Sequence, residues 1–145
     1  MCNRHRKLWR TDKCYILGIF EREAGHHLGH VDLTVIERGD RDWGNLGYAV
    51  HNNVQGRGIA TEAGRMAIQW AFKALRLNRL EVVVDLDNLP SLAVARKLGL
   101  EPEGVRRRFA REGDVWLDQK VFVAVHRLWT GSASLPRDVQ SLSQH

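Results

Sequence analysis

The chain has 145 residues, of which 43% are apolar and 27% are charged. This length suits one domain, and the composition is typical of a soluble globular protein, which excludes a disordered chain. No run of eighteen apolar residues occurs, so a membrane span is not expected, and no apolar stretch of a secretory signal follows the basic residues 1–7. The net charge of +5 is compatible with anionic partners such as a phosphate-bearing cofactor or ribosomal RNA.

The cysteine and histidine contents make a disulfide framework or a metal site unexpected. Cys2 and Cys14 are the two cysteines, and neither has the spacing of a disulfide scaffold or a zinc site. The seven histidines show no metal-ligand spacing either, so no metal is predicted. A reducing, cytoplasmic location is therefore the simplest expectation.

The first half of the chain predicts three strands. Residues 1–13 are basic and have no clear period, whereas residues 14–20 form a short apolar run rich in strand formers. Val31, Leu33 and Val35 alternate with polar residues, which predicts a half-buried strand that pairs with the first as a hairpin. After a polar loop, residues 46–50 predict a third strand.

The pattern then alternates between helices and strands. Apolar residues recur every three or four positions over residues 58–76, which predicts a helix, and residues 80–86 predict a buried strand. Asp87 or Asn88 can cap a second helix, with Pro90 in its first turn and Gly99 at its end. Residues 105–111 and 115–126 predict two last strands. The predicted apolar face of the first helix consists of Ile59, Ala63, Met66, Ala67, Trp70, Ala71 and Ala74.

The predicted fold is a mixed α/β sheet with the order β-β-β-α-β-α-β-β and helices packed on it. If the strands of the central β-α-β unit are parallel, that unit requires a right-handed crossover. We divide the chain into a basic N-terminal segment (1–13), one domain (14–128) and a mobile C-terminal tail (129–145) that is rich in Ser and Gln.

The most informative segment is the glycine-bearing turn that precedes the first helix. Gly56 and Gly58 let backbone N–H groups approach a ligand, and the first turn of a helix attracts phosphate. A P-loop would need Lys and then Ser or Thr where Ile59 and Ala60 stand. A dinucleotide fingerprint would need a third glycine where Thr61 stands, so that interpretation is weak.

The remaining spacing, Gln55-x-x-Gly58-x-Ala60, resembles the acyl-CoA pyrophosphate loop of the GNAT superfamily of N-acetyltransferases. The resemblance extends over residues 14–128. Asn88-x-x-Ser91 and Lys97-Leu98-Gly99 resemble a second family block, although Leu100 replaces the usual Phe. Glu103-Gly104 and Trp116-Leu117-Asp118 are similar to the terminal hairpin of the ribosomal-protein alanine N-acetyltransferases, the RimJ/RimL type.

The resemblance implies acetyl-CoA as co-substrate and a site for it between two diverging strands. Pantetheine would lie between residues 46–50 and 80–86, backbone amides of residues 55–60 would hold the pyrophosphate, and Asn88 would bind the pantetheine arm. Arg96 or Lys97 would reach a phosphate. The implied cofactor-binding residues are Ala49, Val50, Gln55, Gly56, Arg57, Gly58, Ile59, Ala60, Asn88, Ser91, Arg96 and Lys97.

The implied mechanism is direct attack of an amine on the thioester in a ternary complex. The amine must lose a proton, and the tetrahedral oxyanion needs a donor, for which the backbone N–H near Val50 is the candidate. Many family members use a Tyr to protonate the thiolate. Ala95 stands at that position, so Ser91 is the candidate here, as in the RimL-like branch.

The general base is left open. Some RimL-like enzymes carry a Glu where this chain has Ala110, and Glu62, His51, Asp114 and Asp118 are the alternatives. Each of these four residues also has an ordinary structural interpretation, such as a favourable charge at a helix start for Glu62.

The acceptor is predicted to be a primary amine, with a protein N-terminal α-amine, for instance that of a ribosomal protein, as the first hypothesis. Residues 1–13 are too short for the strand and two helices that form one wall of the acceptor site in the family. The alternatives are a small amine, such as a polyamine, an amino acid or an aminoglycoside, and a non-catalytic acyl-CoA-binding module. Strand alternation would split the four arginines between residues 106 and 111 across two faces, so no direct nucleic-acid binding is expected. A homodimer is left open.

Overall fold

The computed structural model describes residues 9–131. Its elements follow the predicted order, with six strands and two helices. The sequence boundaries are correct to within a few residues, and the first strand is predicted without error. The elements are β1 (Cys14–Phe20), β2 (His27–Glu37), β3 (Trp43–Val50), α1 (Ile59–Lys73), β4 (Arg79–Asp85), α2 (Leu89–Lys97), β5 (Glu101–Glu112) and β6 (Val115–Val125).

The six strands form one mixed sheet in the order β1-β2-β3-β4-β6-β5. Every neighbouring pair is antiparallel except β3 and β4, which are parallel and joined through α1. Alternate residues of the central strands, such as Leu33, Leu46 and Leu80, are buried in the same core as α1 and α2. We call the side of the sheet that carries the two helices the helix face, and the other side the open face.

The parallel strands β3 and β4 pair over only part of their length. Their register covers only Trp43 to Asn45 on β3 and Arg79 to Glu81 on β4. Both strands continue past these positions, β3 as far as Val50 and β4 as far as Asp85. The two strands therefore diverge toward their C-terminal ends and open a gap in the sheet.

Two large apolar residues that the sequence places in the core, Met66 and Leu86, are instead exposed, as is the smaller Ala74. The Met66 side chain is 64% exposed, although it lies on the predicted apolar face of α1, and Leu86 is 46% exposed. Met66 borders a groove of about 1000 Å³ beside α1, together with Trp9, Ile19 and Trp70. Periodicity identifies the apolar side of a helix, but it does not show whether another element covers that side. Leu86 lies one residue past the end of β4, beyond the ladder.

Both helices end through local backbone geometry. Helix α1 stops at Lys73, three residues before the predicted limit, because Arg76 has a φ of 55° and the Leu77 N–H returns to the Ala71 carbonyl. Helix α2 begins at its predicted cap, where the Asn88 Oδ1 accepts a hydrogen bond from the Ser91 N–H at 3.2 Å. Gly99, with a φ of 73°, follows its end as predicted.

The β5–β6 hairpin contains a large bulge that the sequence analysis did not predict. The register passes from Arg106 opposite Gln119 to Ala110 opposite Leu117, so three residues face Asp118. The Arg108 N–H donates to the Asp118 carboxylate at 2.8 Å, and Arg108 has a φ of 47°. The bulge interrupts the regular alternation on which the expected distribution of the four arginines depended.

The chain ends of the described region pack on the domain. The Trp129 indole N–H donates to the Leu98 carbonyl at 2.7 Å, whereas residues 132–145 of the predicted tail lie outside the described residues, as do residues 1–8. Within residues 9–131, neither helix has the length and apolar character needed to cross a membrane. The same residues contain no group of three or more His, Cys, Asp or Glu side chains suited to hold a metal ion.

Candidate functional site

A cleft of about 350 Å³ lies between the end of β3 and α2, on the side toward which β3 and β4 diverge. Its walls are the end of β3, the turn before α1, the first turn of α1 and the first two turns of α2. The described structure brings ten of the twelve predicted cofactor-binding residues to this cleft: Ala49, Val50, Gln55, Gly56, Gly58, Ile59, Ala60, Asn88, Ser91 and Lys97. Arg57 and Arg96 do not line it, and both are exposed.

The glycine turn has the geometry of an anion-binding loop. Gly56 and Gly58 have φ values of 82° and 76°, which side-chain-bearing residues rarely adopt. Nothing lies within 4 Å of the position that a Cβ would take at either residue. The backbone is thus open toward the cleft. Gly58 is the N-cap of α1, so the first N–H groups of that helix have no partner within the helix.

Gln55 holds this turn against the end of β3. Its side-chain amide donates to the Val50 carbonyl at 3.2 Å and to the Asn52 Oδ1 at 3.1 Å. The second bond reinforces the short 3-10 turn Asn52–Val54, which the Gln55 backbone N–H closes on the Asn52 carbonyl. Gln55 therefore fixes the position of the turn relative to Val50, which is a structural reason for this residue type at the start of the motif.

Asn88 and Ser91 occupy the opposite wall. Because the Asn88 Oδ1 caps α2, the side-chain NH₂ of Asn88 stays available as a donor toward the cleft. Ser91 is half-buried in the first turn of α2, and its hydroxyl faces β3 across the gap. The cap and the cleft thus share one residue, as the sequence suggested.

Tyr48 is a residue of the site that the sequence analysis missed. Its hydroxyl donates to the Ser91 carbonyl at 3.0 Å and accepts from the Ser91 Oγ at 3.4 Å. Burial raises the pKa of the Tyr48 phenol, and the hydrogen bond from Ser91 opposes the shift in part. Tyr48 is thus a protonated donor at neutral pH. Strand alternation could have found it, because Tyr48 follows the buried Leu46 by two positions on the helix face.

All four alternative base residues lie outside the lining of the cleft, and two of them have other polar contacts. Asp118 accepts the backbone N–H of Arg108, and the His51 Nε2 lies 3.0 Å from the His27 Nδ1. Glu62 borders the groove beside α1, not the cleft. Asp114 belongs to the β5–β6 turn, and Ala110 pairs with Leu117 in the hairpin.

Comparison with known proteins defines the class of protein to which this site belongs. A family model described as an acetyltransferase (GNAT) domain matches residues 1–101. The chain therefore belongs to the GNAT acetyltransferase family. Its sequence is 35% identical over 115 residues to the probable N-acetyltransferase YjcK of Bacillus subtilis. The aligned region covers 79% of this chain and 64% of YjcK.

Two further relatives differ in the acceptor that their names state. The ribosomal-protein-S5-alanine acetyltransferase of Vibrio fischeri superposes with a TM-score of 0.80 at 24% identity, over 88% of this chain and 69% of that one. The fold is thus that of the RimJ/RimL type. The spermidine N(1)-acetyltransferase of Escherichia coli is 32% identical over 80 residues, or 55% of this chain and 42% of that protein. The matches cover 64% of YjcK and 42% of the spermidine acetyltransferase, which is less than two thirds of each of these two proteins.

Proposed function

We propose that this protein transfers the acetyl group of acetyl-CoA to a primary amine. The observation that carries the proposal is the gap between β3 and β4, which is bordered by an open glycine turn on one side and by Asn88 and Ser91 on the other. In this arrangement the N–H groups of residues 55–60 hold the pyrophosphate, and the Asn88 NH₂ donates to the pantetheine arm. Lys97, whose side chain borders the same cleft, supplies a positive charge for a phosphate.

The transfer is a single displacement within a ternary complex. The neutral amine forms a bond to the acetyl carbon, and the backbone N–H of Val50 stabilises the oxyanion of the tetrahedral intermediate. Collapse of the intermediate breaks the carbon–sulfur bond. The Ser91 hydroxyl donates its proton to the leaving thiolate. The attacking nitrogen releases a proton as the amide forms, and this proton restores the Ser91 hydroxyl.

Our first candidate for the acceptor is a protein N-terminal α-amine, such as that of a ribosomal protein. The RimJ/RimL-type fold and terminal hairpin support it. A polyamine or another small amine is the second candidate, because a relative at 32% identity is by its name a spermidine acetyltransferase. The two classes differ in size and charge, so a competition between them is informative.

Calorimetric titration of the full chain with acetyl-CoA tests the cofactor assignment. Saturable binding by the wild type and its loss in Gly58→Trp are expected, because an indole at residue 58 fills the pyrophosphate turn. The variant must keep the circular dichroism spectrum of the wild type. Lys7→Trp, far from the turn in sequence, is the matched control for the added indole. Absence of binding by a folded wild-type chain would contradict the proposal.

Release of free CoA thiol with a panel of amines tests the transfer and the acceptor class. The panel contains an unblocked peptide with N-terminal alanine, its N-acetylated counterpart, spermidine and free alanine. We expect turnover with the unblocked peptide and none with the blocked one. Faster turnover of spermidine would instead select the small-amine class. Tight acetyl-CoA binding without turnover of any amine would favour a non-catalytic acyl-CoA-binding module.

A further inference from the structure

The open face of the sheet carries a set of polar side chains directly beside the gap. Cross-strand partners in an antiparallel pair lie on the same face, and the buried Leu33 and Leu46 mark the helix face. Their neighbours along the strands therefore lie on the open face. These are His30 opposite Ala49, and Asp32 opposite Gly47.

His30 and Asp32 form a partly exposed pair. The His30 Nε2 lies 4.0 Å from the Asp32 Oδ1, and the two side chains are 46% and 41% exposed. Gly47 makes room for this carboxylate, because a Cβ at residue 47 would lie 2.5 Å from the Asp32 Oδ1. The carboxylate thus lies over the backbone of β3, one strand away from the gap.

A third polar group lies where the gap begins. Asn45 is the last residue of β3 that pairs with β4, and alternation places it on the open face. Its Oδ1 is buried and accepts no hydrogen bond from any of residues 9–131. The Asp32 carboxylate and the His30 imidazole, which are both partly exposed, lie on the same face as this buried amide oxygen. Both exposed groups can accept a hydrogen bond from an ammonium or amine group, whereas the Asn45 Oδ1 is enclosed by protein.

The other carboxylates on this face are already bound. Glu81 is 5% exposed and accepts hydrogen bonds from Arg79 at 3.0 Å and from Arg106 at 2.7 Å. Asp85 accepts a hydrogen bond from the Gln119 amide at 2.7 Å. Neither is as free to take a proton from a substrate as the pair on β2.

The direction of approach follows from the position of the cofactor cleft. The cleft lies on the helix face, where Tyr48 contacts Ser91 of α2. Pantetheine in this cleft closes that side, so an amine reaches the acetyl carbon near Val50 from the open face. His30 is the cross-strand partner of Ala49, the residue before Val50, and the Cα atoms of such partners lie about 5 Å apart.

We propose that His30 is the general base of the transfer and that Asp32 stabilises its protonated ring; this role rests on the proposed acetyl transfer. A nitrogen of the His30 ring accepts one proton from the substrate ammonium, which leaves a neutral amine and an imidazolium. The amine then attacks the acetyl carbon to form the tetrahedral intermediate, and collapse of this intermediate breaks the carbon–sulfur bond. The nitrogen loses its second proton as the amide forms, and this proton restores the Ser91 hydroxyl. Imidazole suits this step because it exchanges protons near neutral pH.

Few ionisable side chains lie near His30. Asp32 is the charged neighbour on β2, and the cross-strand partners on β1 and β3 are Gly18 and Ala49. The competing base is His51, which directly follows the last residue of β3. Its Nε2 lies 3.0 Å from the His27 Nδ1, so this ring nitrogen already has a partner.

Steady-state kinetics of His30→Gln test the proposal, with the unblocked alanine peptide or spermidine as acceptor, whichever the wild type acetylates faster. A general base contributes about 10²-fold or more, so we expect kcat to fall by about 10²-fold and the rise of kcat with pH to flatten. Acetyl-CoA affinity, measured by calorimetry, stays that of the wild type. In His30→Ala, added imidazole restores part of the rate, which a purely structural residue would not permit.

His26→Gln is the matched control, because His26 lies in the β1–β2 turn, is exposed and pairs with Glu21. Wild-type kcat and pH profile in His30→Gln, with an active parent, would overturn the role of His30 and leave the proposed transfer intact. A loss confined to His51→Gln would overturn it in favour of that residue. If the wild type binds acetyl-CoA but acetylates no amine of the panel, the transfer and this role fall together.

Discussion

At the scale of single residues, the contact between Tyr48 and Ser91 bears directly on the proposed role of Ser91 as the proton donor to the thiolate. Ala95 is fully buried, so that position offers no hydroxyl. A tyrosine on β3 supplies one from the other wall of the cleft, where it contacts the Ser91 hydroxyl. Sequence motifs single out Ser91, but not Tyr48, because the partnership joins positions 43 residues apart.

Ser91→Ala is expected to lower kcat by about 10²-fold, since it removes the proposed proton donor to the thiolate. Acetyl-CoA affinity should change little, because the backbone N–H of Ser91 still donates to Asn88. Steady-state kinetics and calorimetry measure the two quantities. An unchanged kcat would remove Ser91 from the mechanism.

Tyr48→Phe is expected to lower kcat by about fivefold, which corresponds to the loss of one hydrogen bond of about 1 kcal/mol. Because Tyr48 acts through Ser91, the double variant should lose no more than Ser91→Ala alone. Additive losses in this double-mutant cycle would show that the two hydroxyls act independently.

At the scale of elements, Asn88 caps α2 and has a proposed second role as a ligand of acetyl-CoA, and two substitutions separate these roles. Asp at residue 88 keeps the capping oxygen but lacks the NH₂ donor, whereas Ala lacks both. Asn88→Asp should therefore keep the melting temperature and lose acetyl-CoA affinity. Asn88→Ala should lose affinity and also about 1 kcal/mol of stability.

Thermal melting and calorimetric titration of the two variants check this separation. Wild-type affinity in Asn88→Asp would show that Asn88 is a helix cap and nothing more. Ser91 is half-buried in the first turn of α2. If either substitution rearranges α2, the Ser91 hydroxyl moves and kcat is expected to change.

Most elements were predictable because their signals are local. Alternation marks β2, a period of three to four marks α1, and Asn88 and Gly99 mark the ends of α2. The bulge opposite Asp118 was not predictable, because it depends on a left-handed Arg108 that a carboxylate on the other strand holds in place. The pairing of His30 with Ala49 was equally hidden, because strand register is a nonlocal property.

At the scale of the whole molecule, the described residues combine the candidate cofactor cleft at the end of β3 with an open groove beside α1. The apolar members of that groove, among them Trp9, Met66 and Trp70, leave a large apolar surface uncovered within the described residues.

The segment before β1 is fastened by one arginine. The Arg38 guanidinium donates to the Asp12 carboxylate at 2.7 Å and to the Leu75 carbonyl at 2.6 Å, so it joins that segment to the end of β2 and to the turn after α1. The Tyr15 hydroxyl donates to the same carboxylate at 2.5 Å. These contacts lower the pKa of Asp12, chiefly through the hydrogen bond from Arg38. Burial and the bond to Asp12 raise the pKa of Tyr15 to about 12.

The two shifts predict a loss of stability at both ends of the pH range. A lowered carboxyl pKa gives stability that is present above the ordinary value of 3.8 and is lost as the pH falls below it. A raised phenol pKa gives stability that is present below pH 10.0 and is lost as the pH rises toward about 12. Asp12→Asn should therefore flatten the acid limb of a plot of melting temperature against pH, and it should flatten the alkaline limb in part, because burial is the larger cause of the Tyr15 shift. Because Arg79 also lowers the pKa of Glu103, part of the acid limb remains.

Asp40→Asn, in the exposed loop after β2, is the matched control and should keep both limbs. Equal steepness of both limbs in Asp12→Asn and the wild type would show that the Arg38 contacts do not govern the pH dependence of stability.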